Sequence, residues 1–207
     1  MSEPTTSGVQ AKPDAIWNLP NVLTMVRLVL VPAFLWLLLV NTTPSRWWAL
    51  GIFVVAAYTD HLDGKIARSR NLVTNFGKLA DPIADKFMTL GAFVALSILA
   101  LLPWWFTIIV AFREIGITIL REVLRRKGTV VAASSGGKLK TVLQIFLIFL
   151  LIVPWDSFVP AGSVLAQVVT VVVWIALAAA LLTTVVSGMQ YVLSAARGAK
   201  RSNQHQH

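Results

Sequence analysis

Residues 60–85 read DHLDGKIARSRNLVTNFGKLADPIAD, and this one window of an otherwise apolar chain contains four aspartates. They are Asp60, Asp63, Asp81 and Asp85. The chain has nine acidic residues in all, so nearly half of them stand here. Spacings of three and four residues place side chains on one face of a helix. Because a charge at the centre of a membrane helix costs about 2.5–3.5 kcal/mol on insertion scales, four such groups predict bound cations.

The composition of the whole chain predicts an integral membrane protein. Of its 207 residues, 57% are hydrophobic and 13% are charged, and the mean hydropathy is +0.74. A soluble domain averages about 45–50% apolar and about 25% charged residues. The net charge of +9 would suggest nucleic acid as the partner of a soluble protein. Here the basic residues flank apolar runs, which favours anionic lipid and an anionic substrate.

Six apolar segments predict an all-α bundle of six transmembrane helices. The segments are Pro20–Val40, Trp47–Arg68, Phe76–Leu102, Trp104–Lys127, Lys138–Val153 and Val164–Leu193. Several purely apolar runs within them are shorter than the roughly 20 residues that span a bilayer. Polar residues must therefore complete these helices and face a polar cavity, which we expect to open to the cytoplasm. We expect one catalytic domain over residues 16–196, with flexible cytoplasmic tails at 1–15 and 197–207.

The distribution of basic residues predicts the orientation in the membrane. The loops after helices 1, 3 and 5 contain Arg46 as their single basic residue, whereas the opposite ends are rich in Lys and Arg. The positive-inside rule then places both termini in the cytoplasm. Five tryptophans fall at the predicted outer edge, as an aromatic belt does: Trp47, Trp48, Trp104, Trp105 and Trp155. In this topology helices 2 and 3 are antiparallel neighbours whose aspartate pairs face each other.

The aspartate window also predicts the kind of chemistry. Carboxylate oxygens favour Mg²⁺, Mn²⁺ or Ca²⁺ over zinc, and paired divalent cations clamp the oxygens of a phosphoryl displacement. Gly64 and Gly77 allow a ligand to approach the backbone closely. Ala67 keeps the same face narrow, and Arg68 offers a planar set of donors for a phosphate. Salt bridges between the aspartates and nearby Lys and Arg are the alternative, but they do not explain the fixed order of these small residues.

The order Asp60-x-x-Asp63-Gly64-x-x-Ala67-Arg68-(x8)-Gly77-x-x-x-Asp81-x-x-x-Asp85 resembles, without a departure, the signature of the CDP-alcohol phosphatidyltransferase family. The resemblance implies a homodimer in the bacterial inner membrane, with two divalent cations, Mg²⁺ or Mn²⁺, held by the four aspartates. It implies that Asp85 also deprotonates the acceptor hydroxyl. The residues that would border CDP-diacylglycerol are Asp63, Gly64, Ala67, Arg68 and Gly77.

Three further stretches resemble the bacterial branch of that family that acts on glycerol 3-phosphate and makes phosphatidylglycerophosphate. They are NLPNVLTMVR at residues 18–27, Arg113-Glu114 followed by Arg121, and GGKLKT at residues 136–141. A phosphate acceptor carries about two negative charges and needs a positively charged binding site. Arg113 lies near the middle of helix 4 and must face the bundle interior. The residues predicted to bind the acceptor phosphate are Arg113, Arg121, Lys138, Lys140, Thr24 and Arg27.

Each of these assignments has an alternative. Arg113 could instead pair with Glu114 or with an aspartate, and Thr24 could only cap helix 1. Lys138, Lys140 and Arg27 could snorkel to the membrane interface. Inositol phosphate or phosphatidylglycerol would be acceptors for the same chemistry. A divalent-cation transporter is a rival of another class, but it does not explain the basic residues in helices 4 and 5.

Overall fold

A computed structural model describes residues 19–69, 75–126 and 136–204, with side chains described over 22–59, 83–126 and 137–197. Within these ranges the chain forms six α-helices and one short 3-10 helix. They are α1 (Leu19–Val40), α2 (Thr43–Ser69), α3 (Asn75–Ile98), α4 (Trp104–Arg126), α5 (Gly136–Ile152), the 3-10 helix Trp155–Ser157 and α6 (Val164–Gln204). The prediction of an all-α protein built from six helices is confirmed.

The helix α2 begins before its apolar run does. It was expected to begin at Trp47, but it begins at Thr43 because two side chains cap its first turn. The Thr42 backbone N–H donates to Ser45 Oγ at 2.9 Å, and the Ser45 N–H donates to Thr42 Oγ1 at 3.3 Å. This reciprocal pairing satisfies two backbone donors that a helix start leaves without partners. The short connection from α1 passes through Asn41, which has a φ of 53°.

The helix α3 ends at Ile98, four residues before the expected Leu102. Ala100 adopts a φ of 57°, in the left-handed region. The Leu101 N–H donates to the Leu96 carbonyl at 3.0 Å. These features form a Schellman ending, which closes the last turn of a helix and is usually built with glycine at the left-handed position. At the other end of the chain, α6 continues past the predicted end at Leu193, to Gln204, into the segment that was expected to be a tail.

A partly buried arginine at the predicted outer edge joins α2 to the end of α5. Arg46 donates hydrogen bonds to the carbonyl oxygens of Leu151, Ile152 and Val153 at 2.8, 3.0 and 3.1 Å. Its guanidinium also lies 3.7 Å from the carboxylate of Asp156. The last carbonyls of a helix are unpaired and carry partial negative charge, so the arginine completes the C-terminal end of α5.

The surface of the bundle is that of a membrane protein. Large apolar side chains are exposed along its helices, including Val29 at 73% and Phe112 at 81%. Among the described residues, three stretches are long and apolar enough to cross a membrane by themselves: Val22–Val40, Gly137–Ser157 and Val164–Arg197. The helices α2, α3 and α4 combine apolar runs with charged positions. The sequence predicts that polar residues complete helices 2 and 5, so that Asp60, Asp63, Lys138 and Lys140 face a cavity or the protein interior.

The helix α1 is the packing centre of the first half of the bundle. It packs against both α2 and α3, and α5 packs against α6, α2 and α3. At the contact of α1 with α3, a Cβ on Gly91 would lie 2.9 Å from Leu35 Cδ1, so glycine permits this close approach. The prediction that α2 and α3 are antiparallel neighbours concerns the ends that carry the motif, which lie outside the ranges with described side chains, and it stays a prediction. Among the described residues, α2 packs mainly against α1 and α5, whereas α3 packs mainly against α1 and α4 and less against α5.

Candidate active site

The aspartate motif is carried by one end of α2 and the opposite end of α3. Asp60 and Asp63 lie in the last three turns of α2, together with Gly64, Ala67 and Arg68. Gly77 and Asp81 lie in the first two turns of α3. The side chains of these seven residues are outside the described ranges. The helical spacing that the sequence predicted for both aspartate pairs is therefore present in the backbone.

The fourth aspartate, Asp85, has a described side chain and lines a polar pocket. The pocket lies between α3, α4 and α5, and its polar lining consists of Asp85, Lys86, Thr89, Glu114, Lys140, Thr141 and Gln144. Among the described side chains, no group of three or more His, Cys, Asp or Glu gathers as a metal site does. Asp85 is the member of the predicted set that falls in those ranges, and its half-buried carboxylate suits a hard divalent cation. Asp85 is thus one oxygen ligand of the kind that Mg²⁺ or Mn²⁺ prefers, and the other three predicted ligands lie outside the described side chains.

A single carboxylate joins two of the predicted acceptor-binding cations. Glu114 Oε1 accepts a hydrogen bond from Arg113 Nη1 at 3.0 Å. The same oxygen accepts a short hydrogen bond from Lys140 Nζ. The side chains of Arg113, Glu114 and Lys140 are 17%, 15% and 9% exposed, so all three charges are largely removed from solvent. The trio has a net charge of about +1, since one carboxylate balances one of two cations.

A chain of hydroxyl and amide groups holds this trio from the side of α6. Arg113 Nη2 donates to Ser187 Oγ at 2.8 Å, and Ser187 Oγ donates to the Thr184 carbonyl at 3.1 Å. Gln144 Nε2, one turn beyond Lys140 on α5, donates to Thr184 Oγ1 at 3.0 Å. Buried polar groups need such partners, and a connected network fixes the side chains that it contains.

A glycine makes the approach of Arg113 to α6 possible. A Cβ at Gly188 would lie 3.2 Å from Arg113 Cγ, which is tighter than ordinary packing allows. The expectation that Arg113 faces the bundle interior is met, and its alternative pairing with Glu114 is the contact observed. The arginine is thus both directed inward and held by a carboxylate.

The other residues predicted to bind the acceptor phosphate differ in burial and in the helix that carries them. Thr24 and Arg27 lie one turn apart on α1 and are 1% and 0% exposed, so Arg27 does not snorkel to the surface. Lys140 is likewise buried at 7%, whereas Lys138 is exposed. Arg121 is exposed, and its guanidinium carbon lies 5.4 Å from the ring centroid of Tyr191 on α6. Of the six, Arg113 and Lys140 are the pair that share a described partner.

Sequence reasoning missed several residues that shape this site. Glu114 entered only as a neighbour of Arg113, and Gln144, Thr184 and Ser187 were not considered. Each is a polar residue inside an apolar helix, and such residues usually face a protein interior or a cavity. The spacing of three between Thr184 and Ser187 would have placed both on one face of α6. That signal was available in the sequence.

Comparison with known proteins identifies the family. Residues 17–186 match the family model of CDP-alcohol phosphatidyltransferases. A Mycobacterium tuberculosis protein named as a probable phosphatidylglycerophosphate synthase is 40% identical over 199 residues, covering 95% of this chain and 90% of the relative. A Bacillus subtilis CDP-diacylglycerol–glycerol-3-phosphate 3-phosphatidyltransferase is 36% identical over 203 residues, covering 91% of this chain and 100% of the relative. A Streptomyces coelicolor cardiolipin synthase (CMP-forming) is 38% identical over 118 residues, covering 56% of this chain and 55% of the relative. Together with the unbroken motif on α2 and α3, these matches make the chain a member of the CDP-alcohol phosphatidyltransferase family.

Proposed function

We propose that this protein is a phosphatidylglycerophosphate synthase, which transfers the phosphatidyl group of CDP-diacylglycerol to glycerol 3-phosphate and releases CMP. The observation that carries the acceptor assignment is a pair of largely buried cations, Arg113 and Lys140, that share the Glu114 carboxylate, with Lys140 lining the same pocket as Asp85. Two cations that share one carboxylate keep a net charge of about +1, which attracts an anion. The relatives from Mycobacterium tuberculosis and Bacillus subtilis bear names for this same reaction.

The donor is assigned to the motif on α2 and α3. In this proposal two divalent cations, Mg²⁺ or Mn²⁺, would be bound by the four aspartates Asp60, Asp63, Asp81 and Asp85. Such cations would neutralise the pyrophosphate of CDP-diacylglycerol and stabilise the charge of the leaving nucleotide. Gly64, Ala67 and Gly77 leave space for the nucleotide beside Asp63, and Arg68 binds the phosphate of CMP. The acyl chains stay in the cytoplasmic leaflet.

The proton transfer is assigned to Asp85. Its carboxylate accepts the proton of the 1-hydroxyl of glycerol 3-phosphate, and the hydroxyl oxygen attacks the lipid-side phosphorus. The bond from that phosphorus to the oxygen of CMP breaks, and CMP leaves with the bonding electrons. Arg113 and Lys140 bind the acceptor phosphate and orient the hydroxyl. The predicted phosphate-binding site also includes Arg27 and Thr24 from α1. Lys138 and Arg121, which are exposed, would lie at the edge of that site.

The membrane location, orientation and oligomeric state of the enzyme are also part of this proposal. We place it in the bacterial inner membrane as a homodimer, with both termini and the active site on the cytoplasmic side. Basic residues at the site end of the helices and tryptophans at the other end support this orientation. Cysteine accessibility at the two ends of α6 in sealed vesicles tests the orientation, and crosslinking in membranes tests the dimer.

Phosphatidylglycerol is the second candidate acceptor, because one relative is named as a CMP-forming cardiolipin synthase. The deciding experiment supplies purified protein with CDP-diacylglycerol, Mg²⁺ and one acceptor at a time. The panel is glycerol 3-phosphate, phosphatidylglycerol, inositol phosphate and serine, and the lipid product is identified by mass. Phosphatidylglycerophosphate from glycerol 3-phosphate is the expected product. Cardiolipin as the main product would move the assignment to the second candidate.

A further inference from the structure

Glu114 places a negative charge in the predicted phosphate-binding site, and binding phosphate does not require such a charge. A carboxylate between Arg113 and Lys140 lowers the positive charge that those residues offer to an anion. Burying a carboxylate is also costly unless cations pair with it. A site that only bound phosphate would bind it more strongly with a neutral residue at this position. The placement of Glu114 therefore calls for a separate reason.

The position of Lys140 supplies that reason. Its ammonium is on a flexible four-carbon stem, and it lines the same narrow pocket as Asp85. Two described carboxylates, those of Glu114 and Asp85, attract this ammonium electrostatically. Glu114 holds it by a direct hydrogen bond. Without that bond, the ammonium is drawn toward Asp85, where it would compete with a divalent cation for the carboxylate.

We propose that Glu114 is a positioning residue that holds the Lys140 ammonium off Asp85, so that a divalent cation binds Asp85 without competition from the lysine. The inference rests on the proposed function, which assigns Asp85 to the metal and Lys140 to the acceptor phosphate. It adds that the two tasks are kept apart by a carboxylate on a third helix. Arg113, held by Ser187 and Glu114, fixes the other side of that carboxylate.

The test measures Mn²⁺ binding to the full-length protein in detergent, without either substrate, from the loss of the free-ion EPR signal. Glu114→Gln keeps the size of the side chain and removes its charge. We expect the Mn²⁺ concentration at half-saturation to rise about tenfold, which corresponds to about 1.4 kcal/mol. The double variant Glu114→Gln/Lys140→Met removes the competing ammonium, and we expect its Mn²⁺ binding to return to within about twofold of the wild-type value, a difference of about 0.4 kcal/mol.

Glu122→Gln is the matched control. Glu122 lies two turns further along α4 and pairs with Arg125 and Arg126 at an exposed position. The same chemical change there should leave Mn²⁺ binding unaltered. Unchanged Mn²⁺ binding in Glu114→Gln would overturn the inference, and so would an equal loss in the single and double variants. If the single variant does not fold, the double variant decides, because weaker Mn²⁺ binding in it than in the wild type contradicts the proposal.

The outcome is separable from that of the proposed function. If the wild-type protein binds Mn²⁺ but does not use glycerol 3-phosphate, the acceptor assignment is wrong. The positioning role of Glu114 is then still decided by the Mn²⁺ binding of the variants. Wild-type protein that binds no Mn²⁺ would remove the metal assignment and this inference together.

Discussion

Arg113→Met should weaken the use of glycerol 3-phosphate much more than the use of CDP-diacylglycerol. The substitution keeps a long apolar stem and deletes a guanidinium that contacts Glu114 at 3.0 Å and Ser187 at 2.8 Å. A hydrogen bond to a charged group contributes about 1.5–3 kcal/mol, which is about 10- to 150-fold in kcat/KM. The loss should be mainly in KM for glycerol 3-phosphate, because the phosphate-binding site holds the acceptor phosphate before and during the reaction.

The assay follows CMP release in mixed micelles while each substrate is varied in turn. Arg125→Met is the matched control, since Arg125 is on the same helix with its side chain 70% exposed and pairs with Glu122. That control should keep both KM values. Arg113→Lys should recover part of the loss, because it restores the charge without the planar set of donors. An equal loss for both substrates, or a normal KM for glycerol 3-phosphate, would refute the phosphate-binding role assigned to Arg113.

Three further substitutions test other parts of the account. Asp85→Asn should lower kcat by at least about 100-fold, the usual size of a general-base contribution, while CDP-diacylglycerol binding measured by calorimetry is retained; full turnover would contradict the assignment. Ala100→Gly should stabilise the protein by about 1 kcal/mol, because glycine adopts the φ of 57° without strain; a lower midpoint of thermal unfolding would argue against this ending of α3. Arg46→Met should destabilise by about 2 kcal/mol through the three carbonyls it leaves at the end of α5, with KM for both substrates unchanged; normal thermal stability would refute that role.

The helices and the motif were largely predictable from the sequence, and the reasons are physical. Long continuous apolar runs in a membrane protein form helices, which pair their own backbone groups, so the existence and order of six helices followed from the lengths of these runs. Their ends did not. The start of α2 depends on the pairing of Thr42 with Ser45, and the end of α3 on a left-handed alanine, neither of which an apolar run reveals.

The charged residues of the candidate site were predictable from the sequence, but their pairing was predictable only in part. An arginine near the middle of α4 had to face the protein interior, and Arg113 does. Which carboxylate it would meet depended on how α4, α5 and α6 pack, and sequence spacing carries no such information. The sequence offered Glu114 as one possible partner of Arg113, but it did not indicate that the same carboxylate also pairs with Lys140. It reaches both cations because Lys140 approaches from α5.

The most direct measurement is a crystal structure of the protein with Mn²⁺, CDP-diacylglycerol and glycerol 3-phosphate, using the anomalous signal of Mn²⁺. We expect two Mn²⁺ peaks at the carboxylates of Asp60, Asp63, Asp81 and Asp85. We also expect the acceptor phosphate within hydrogen-bonding distance of Arg113 and Lys140. Aspartates directed into lipid, or a phosphate bound far from these two cations, would contradict the proposed site.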